Sequence, residues 1–249
     1  MISASFTTDD GYHHYSGMAN CIFRMATVIS LAIDNGDRYE FPRWTYAEYF
    51  PNLTLAWRDS YRKDDYRRVV TERSIAYSKL PYFPNARYSG YFQSDKYFRH
   101  NLKEIQRLFR LSTRTIDACG VHVRRGDYLR VPHVLPVLPL AYYESAVERA
   151  VRDWNVERFI VYTDDAPWVQ SCFLPRFRQY RMELSPQRGD IPDFVGLTEC
   201  RWLITANSTF SVMAGILADH GRCIGPRSWF NPNAGLDSRD IVPEAWTRI

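Results

Sequence analysis

"CGVHVRRGDYLR", residues 119–130, decides the fold. Residues 121–123 form a short apolar run that passes directly into two arginines, a glycine and an aspartate. A short apolar run closed by such punctuation reads as a buried strand of a parallel sheet. Its carboxyl end then carries permanent positive charge, at the edge where open α/β sheets bind their ligands. The stretch therefore predicts an α/β fold whose ligand carries negative charge.

The pattern continues on the carboxyl side. Periodicity predicts a helix over 142–154. "RFIVYTDD", 158–165, reads as a strand ending in two carboxylates. "FVGLTECRWLITANSTFSVMAGILADHG", 194–221, reads as a helix, a strand at 202–206 and a second helix. On the amino side, "ISASFT", 2–7, is a first strand, followed by a polar loop. A helix from about Asn20 has its apolar face at Ile22, Met25, Ala26, Ile29 and Ile33. "DNG" at 34–36 stops it, with Gly36 suited to a left-handed cap. "RYEFPRW", 38–44, makes a second strand. Both ends of the chain thus alternate β and α, as parallel sheets require.

Residues 51–100 resist this reading. "AWRDSYRKDDYRRVVTER", 56–73, is charge-rich and reads as mostly solvated. "LPYFPNARYSGYFQSDKYFRH", 80–100, is aromatic and interrupted by proline. A helix is expected over 94–110. The expected organisation is two domains, 1–113 and 114–249, with the last residues free to pack back on the first.

Composition narrows the class. The chain has 249 residues, 45% hydrophobic and 24% charged, as a globular protein should. Tyr and Trp, 17 and 7 in number, can line sugar or base pockets. A net charge of +4 is compatible with an anionic ligand but does not argue for nucleic acid, and no nucleic-acid-reading motif is present. Cys21, Cys119, Cys172, Cys200 and Cys223 are scattered and read as reduced, mostly buried thiols rather than metal ligands. The longest apolar run, 25–33, is too short to span a bilayer. The N-terminus lacks the pattern of a signal peptide. A cytoplasmic location is the expectation.

Three predicted strand ends carry chemistry: "HVRRGD", "TDD" and "NSTFS". In a parallel sheet they lie on one side. Arg suits phosphate oxygens. Successive residues leaving a strand point to opposite faces, so one of Arg124 and Arg125 grips ligand and the other braces the fold. His122 shares a face with Arg124, and these two are the expected ligand-facing pair. Asp127 pairs with Arg125 or orients a loop. Asn207 or Ser208 caps a helix whose N-terminus suits a phosphate, with hydroxyls from Ser208, Thr209 and Ser211 nearby. At the remaining edge, Thr163, Asp164 and Asp165 could hold Mg²⁺, accept the N–H groups of a guanine, or merely cap a helix. The base is the preferred reading.

These residues carry a resemblance. "HVRRGD", "GYFQSDKYF" at 90–98, "YTDDAPW" at 162–168 and "ANSTFSVMAGIL" at 206–217 resemble, in order, the motifs of the α-1,2-fucosyltransferases of glycosyltransferase family 11. "SGMANCIFRMA" at 16–26 is similar to that family's N-terminal segment, and "GPRSWF" and "IVPEAW" to its closing one. The resemblance implies a GT-B-like fold with two Rossmann-type domains facing a cleft. It implies transfer of fucose from GDP-β-L-fucose to a glycan acceptor with inversion, no cofactor and no obligatory metal. Carried over by position, Arg124 would hold the pyrophosphate. His122 and one of Asp164 or Asp165 would meet the nucleoside. Ser208, Thr209, Phe210 and Ser211 would cradle phosphate, and Asn20 would reach the donor. The catalytic base is open among Asp10, His13, His14 and Asp127. Ala19, Cys21 and "FSVMAG" depart from the family pattern, more on the acceptor side than the donor side. Other readings are a transferase for a different GDP-sugar and a GDP-sugar-binding module without turnover.

Overall fold

A computed structural model describes residues 1–6, 17–59, 62, 65–187, 189–219 and 222–249. The chain divides into two compact units. Unit 1 holds residues 1–111 and 239–241, and unit 2 holds 112–238 and 242–249.

Unit 1 is built on a parallel five-stranded sheet of β1 (Ile2–Ala4), β2 (Tyr39–Pro42), β3 (Trp57–Arg58), β4 (Arg68–Thr71) and β5 (Ala86–Ser89). Their spatial order is β3-β2-β1-β5-β4. Helix α1 (Met18–Asp34) follows β1 and is buried over most of its length. Met25, Ala26 and Ile29 are fully covered, whereas Ile33, expected on the same face, is exposed at the last turn. Gly36 takes φ +60°, the left-handed stop that "DNG" predicts.

The helix expected over 94–110 is broken. Two 3₁₀ turns, Asp95–Tyr97 and Arg99–Asn101, precede the true helix α2 (Leu102–Phe109). Tyr97 and Phe98 are neighbours and both are buried. Phe98 leaves helical geometry at φ −142° and packs on Phe23, while Tyr97 packs on Tyr77 and Phe92. The stretch 56–73, read as solvated, supplies β3 and β4, and the aromatic stretch supplies β5.

Unit 2 carries a parallel six-stranded sheet of β6 (Ile116–Val123), β7 (Arg158–Thr163), β8 (Arg181–Leu184), β9 (Cys200–Ile204), β10 (Cys223–Gly225) and β11 (Thr247–Arg248). The order β11-β10-β9-β6-β7-β8 reverses direction between β6 and β9. That reversal is a topological switch point. Val121 pairs with Val161 on one side and Ile204 on the other. Helices α3 (Leu140–Trp154), α5 (Asp190–Glu199) and α6 (Thr209–Ala218) cover the sheet; α4 (Ala166–Trp168) is one turn that runs on as π and 3₁₀ turns to Phe177. The core beneath α3 is apolar and closed, formed by Val121, Tyr143, Val147, Phe159, Phe173 and Phe177.

Two strands end earlier than expected. β7 stops at Thr163, since Asp165 already caps α4. β9 covers 200–204 rather than 202–206. Four cysteines are buried, Cys172 is exposed, and all five are free thiols. Among the described residues no helix is long and apolar enough to cross a membrane.

Candidate functional site

The carboxyl ends of β6, β7 and β9 bring "HVRRGD", "TDD" and "NSTF" to one edge of unit 2, at the switch point. A cavity of about 360 Å³ opens there. Its lining includes His122, Arg124, Thr163, Asp164, Asp193 and Phe210. Ligand pockets run from roughly 300 to 1,000 Å³, so the space suits a nucleotide-sized group.

Arg124 is held on three sides. Asp127 accepts from it at 2.7 Å, Asp164 lies at 3.2 Å, and the Tyr128 ring sits 5.4 Å from its guanidinium carbon. Arg125 turns the other way. It pairs with Asp165 at 3.1 Å and lies 3.8 Å over the Trp168 ring. Arg124 lines the cavity, and Arg125 is not part of its lining. The proposed pairing of Asp127 with Arg125 does not hold: Asp127 sits one 3₁₀ turn beyond Arg124 and pairs with that residue instead.

Asp164 ties β6 to β7. Its carboxylate accepts the Arg125 backbone N–H at 2.9 Å as well as facing Arg124. The approach depends on Gly126, where a Cβ would fall 2.5 Å from an Asp164 oxygen. Asp165 accepts the Trp168 N–H at 3.2 Å, and its own N–H donates to Thr163 Oγ1 at 3.0 Å. The helix-capping reading of "TDD" is thus realised at Asp165. Both carboxylates are engaged by protein groups, and Asp165 lies outside the cavity lining. Asp190 and Asp193, from the first turn of α5, line the cavity instead. The sequence signal for them was "GDIPDF", a glycine and two carboxylates opening a helix; Gly189 takes φ +121° there.

His122 is buried, with its Nδ1 2.9 Å from Ser211 Oγ. Ser211 donates its hydroxyl to the Ser208 carbonyl, so it accepts from His122 Nδ1–H, leaving Nε2 as an acceptor. Burial, and then the charge of Arg124, push the His122 pKa down to about 3. The ring is therefore neutral near pH 7. Phe210 covers it at 5.5 Å between centroids and packs in turn on Phe194.

The phosphate-cradle residues differ among themselves. Phe210 lines the cavity. Ser208 occupies the N-cap position of α6 without bonding the first turn, which leaves the positive end of that helix available. Thr209 is the first residue of α6. Asn207, expected at the ligand, is fully buried and donates to the carbonyls of Pro136 and Trp229. It fastens two loops. Tyr128, which the sequence reading passed over, donates to the Asn207 carbonyl at 2.9 Å. Its pKa is pushed up to about 12 by burial.

Asn20 lies in unit 1, in the first turn of α1, and accepts from Gln93 at 3.0 Å. Asp10, His13 and His14 lie outside the described residues. Among the described residues no group of three or more His, Cys, Asp or Glu is placed to hold a metal ion.

The family model described as Glycosyl transferase family 11 matches residues 50–246. An O-antigen biosynthesis glycosyltransferase, WbnK of Escherichia coli, is 31% identical over 139 residues, covering 53% of this chain and 45% of that protein. An alpha-1,2-colitosyltransferase of Escherichia coli is 27% identical over 186 residues, covering 64% of this chain and 61% of the relative. The chain therefore spans about half the length of these curated relatives. Among solved structures, the E. coli heptosyltransferase WaaC with ADP aligns over 100% of this chain and 92% of its own, with a TM-score of 0.53 and 9% identity. That likeness shows a shared fold: two parallel-sheet α/β units, GT-B-like.

Proposed function

The chain belongs to glycosyl transferase family 11, and from that premise we propose that it transfers L-fucose from GDP-β-L-fucose to a hydroxyl of a glycan acceptor, with inversion and without an obligatory metal, forming an α-1,2 linkage. The observation that carries this reading is Arg124 in the cavity wall, beside the N-terminal end of α6. As the C1–O bond to phosphate breaks, the sugar gains oxocarbenium-like charge and the diphosphate gains negative charge. Arg124 and the α6 terminus stabilise that leaving group. Loss of one such contact costs about 3 kcal/mol, roughly a hundredfold in rate. Neutral His122 offers Nε2 as an acceptor. Asp164 or Asp193, both in the cavity lining, supplies the carboxylate that takes the N1–H and N2–H₂ of guanine, since an ion-paired carboxylate keeps lone pairs for further donors. A base accepts the acceptor proton.

A second donor reading has one specific support. A relative is named for colitosyl transfer, so another GDP-linked deoxyhexose is the alternative. The test is binding and turnover of GDP-fucose beside GDP-mannose and UDP-glucose, in EDTA, for wild type and Arg124→Ala. GDP-fucose should bind selectively, and the variant should lose about a hundredfold in rate. Binding that follows UDP, requires metal or ignores Arg124 would refute the assignment.

A further inference from the structure

We infer that unit 1 carries a separate groove for an anionic saccharide, a carboxylate- or phosphate-bearing stretch of the acceptor glycan. The inference deepens the glycosyltransferase reading and rests on it for the word acceptor. The groove itself stands on its own geometry. It has a volume of about 440 Å³ and runs along β4, the outer strand of the unit 1 sheet. Among the described residues, Arg68, Arg73 and Lys79 line it and no carboxylate does. All three are exposed, and among the described residues none pairs with an acid. Arg68 lies 4.0 Å over the Phe83 ring, which fixes one wall.

Like charges at one site repel unless an anion joins them. A basic groove with an apolar floor, here Val70, also suits a sugar, which offers hydroxyls on its edge and C–H groups on its face. The far edge of β4 lies beyond the last strand pairing of the sheet, and its backbone groups can bond those hydroxyls.

The experiment is titration of the whole chain, followed by chemical shift and calorimetry, in saturating GDP. The probes are tetragalacturonate, mannose 6-phosphate, a tetraglutamate peptide and, as a neutral control, maltotetraose. The variant is Arg73→Glu with Lys79→Glu, two exposed sites whose replacement leaves the core intact. At least one anionic saccharide should bind, more weakly as salt rises, and lose about tenfold or more in the double variant. GDP affinity should be unchanged. The two anionic saccharides separate carboxylate from phosphate recognition. Absence of binding, equal binding of maltotetraose, indifference to the double variant, or preference for an acidic peptide would overturn the inference. In the first case the cations only guard the sheet edge against pairing. A chain that fails to bind GDP would count against the donor reading, while the saccharide titration would still decide the groove.

Discussion

Arg124 and Arg125 are neighbours in sequence with opposite surroundings, and that difference was legible: a strand alternates its faces. Their partners were not. Asp127 was expected to pair with Arg125 or to orient a loop; it meets Arg124 instead, because a 3₁₀ turn cannot be read from four letters. Asn207 looked like a ligand residue since its side chain suits a cap, yet it fastens two loops. At His122 the chemistry is sharper. Burial pushes its pKa from 6.5 to about 3. The unfolded chain therefore binds a proton below pH 6.5 that the folded chain refuses. Stability should fall as pH drops from 6.5 towards about 3, by at most about 1.4 kcal/mol per pH unit from this group. Glu72 acts in the opposite sense, as burial raises its pKa. Urea unfolding of wild type and His122→Gln between pH 7 and about 5.5, above the ordinary carboxylate range, isolates the histidine. The variant should be less stable throughout but flatter in slope. Parallel curves would show that His122 is protonated in the fold.

Elements with a clean apolar period were read closely: α1, α3, β7 and α6. Those that failed share a physical cause. β5 reads "ARYS", with Arg87 and Ser89 both buried and Arg87 bonded to Ser5 Oγ, so no hydrophobic run marks it. β3 and β11 are two residues long, too short to leave a pattern. α5 was found as a helix, but its tight seat on the sheet was invisible. A Cβ at Gly196 would fall 2.5 Å from the Tyr162 ring. Gly196→Ala should therefore cost about 1–3 kcal/mol by overpacking. Thermal unfolding should drop by roughly 2–4 °C per kcal/mol. Part of the loss should return when Tyr162→Leu is added, because the pair is coupled. A Gly196→Ala protein as stable as wild type would mean that α5 sits further from β7.

The whole molecule is not two consecutive beads. Residues 239–241 belong to unit 1, and the chain then returns to unit 2 to form β11. Asp240 is buried, accepting from Lys96 Nζ at 2.6 Å and from the Tyr77 N–H at 2.9 Å. Ile241 is fully covered. Asp240→Ala should destabilise by about 1–3 kcal/mol. Faster amide hydrogen exchange should appear around Tyr77 and Lys96, far away in sequence, rather than along β10 and β11. The reverse distribution would refute the role given to Asp240. The detour also sets an order of events. A ribosome makes unit 1 first but delivers its closing residues only after nearly all of unit 2. The nascent first half must therefore wait, incomplete, with the Lys96 ammonium not yet met by Asp240, until residues 239–241 emerge.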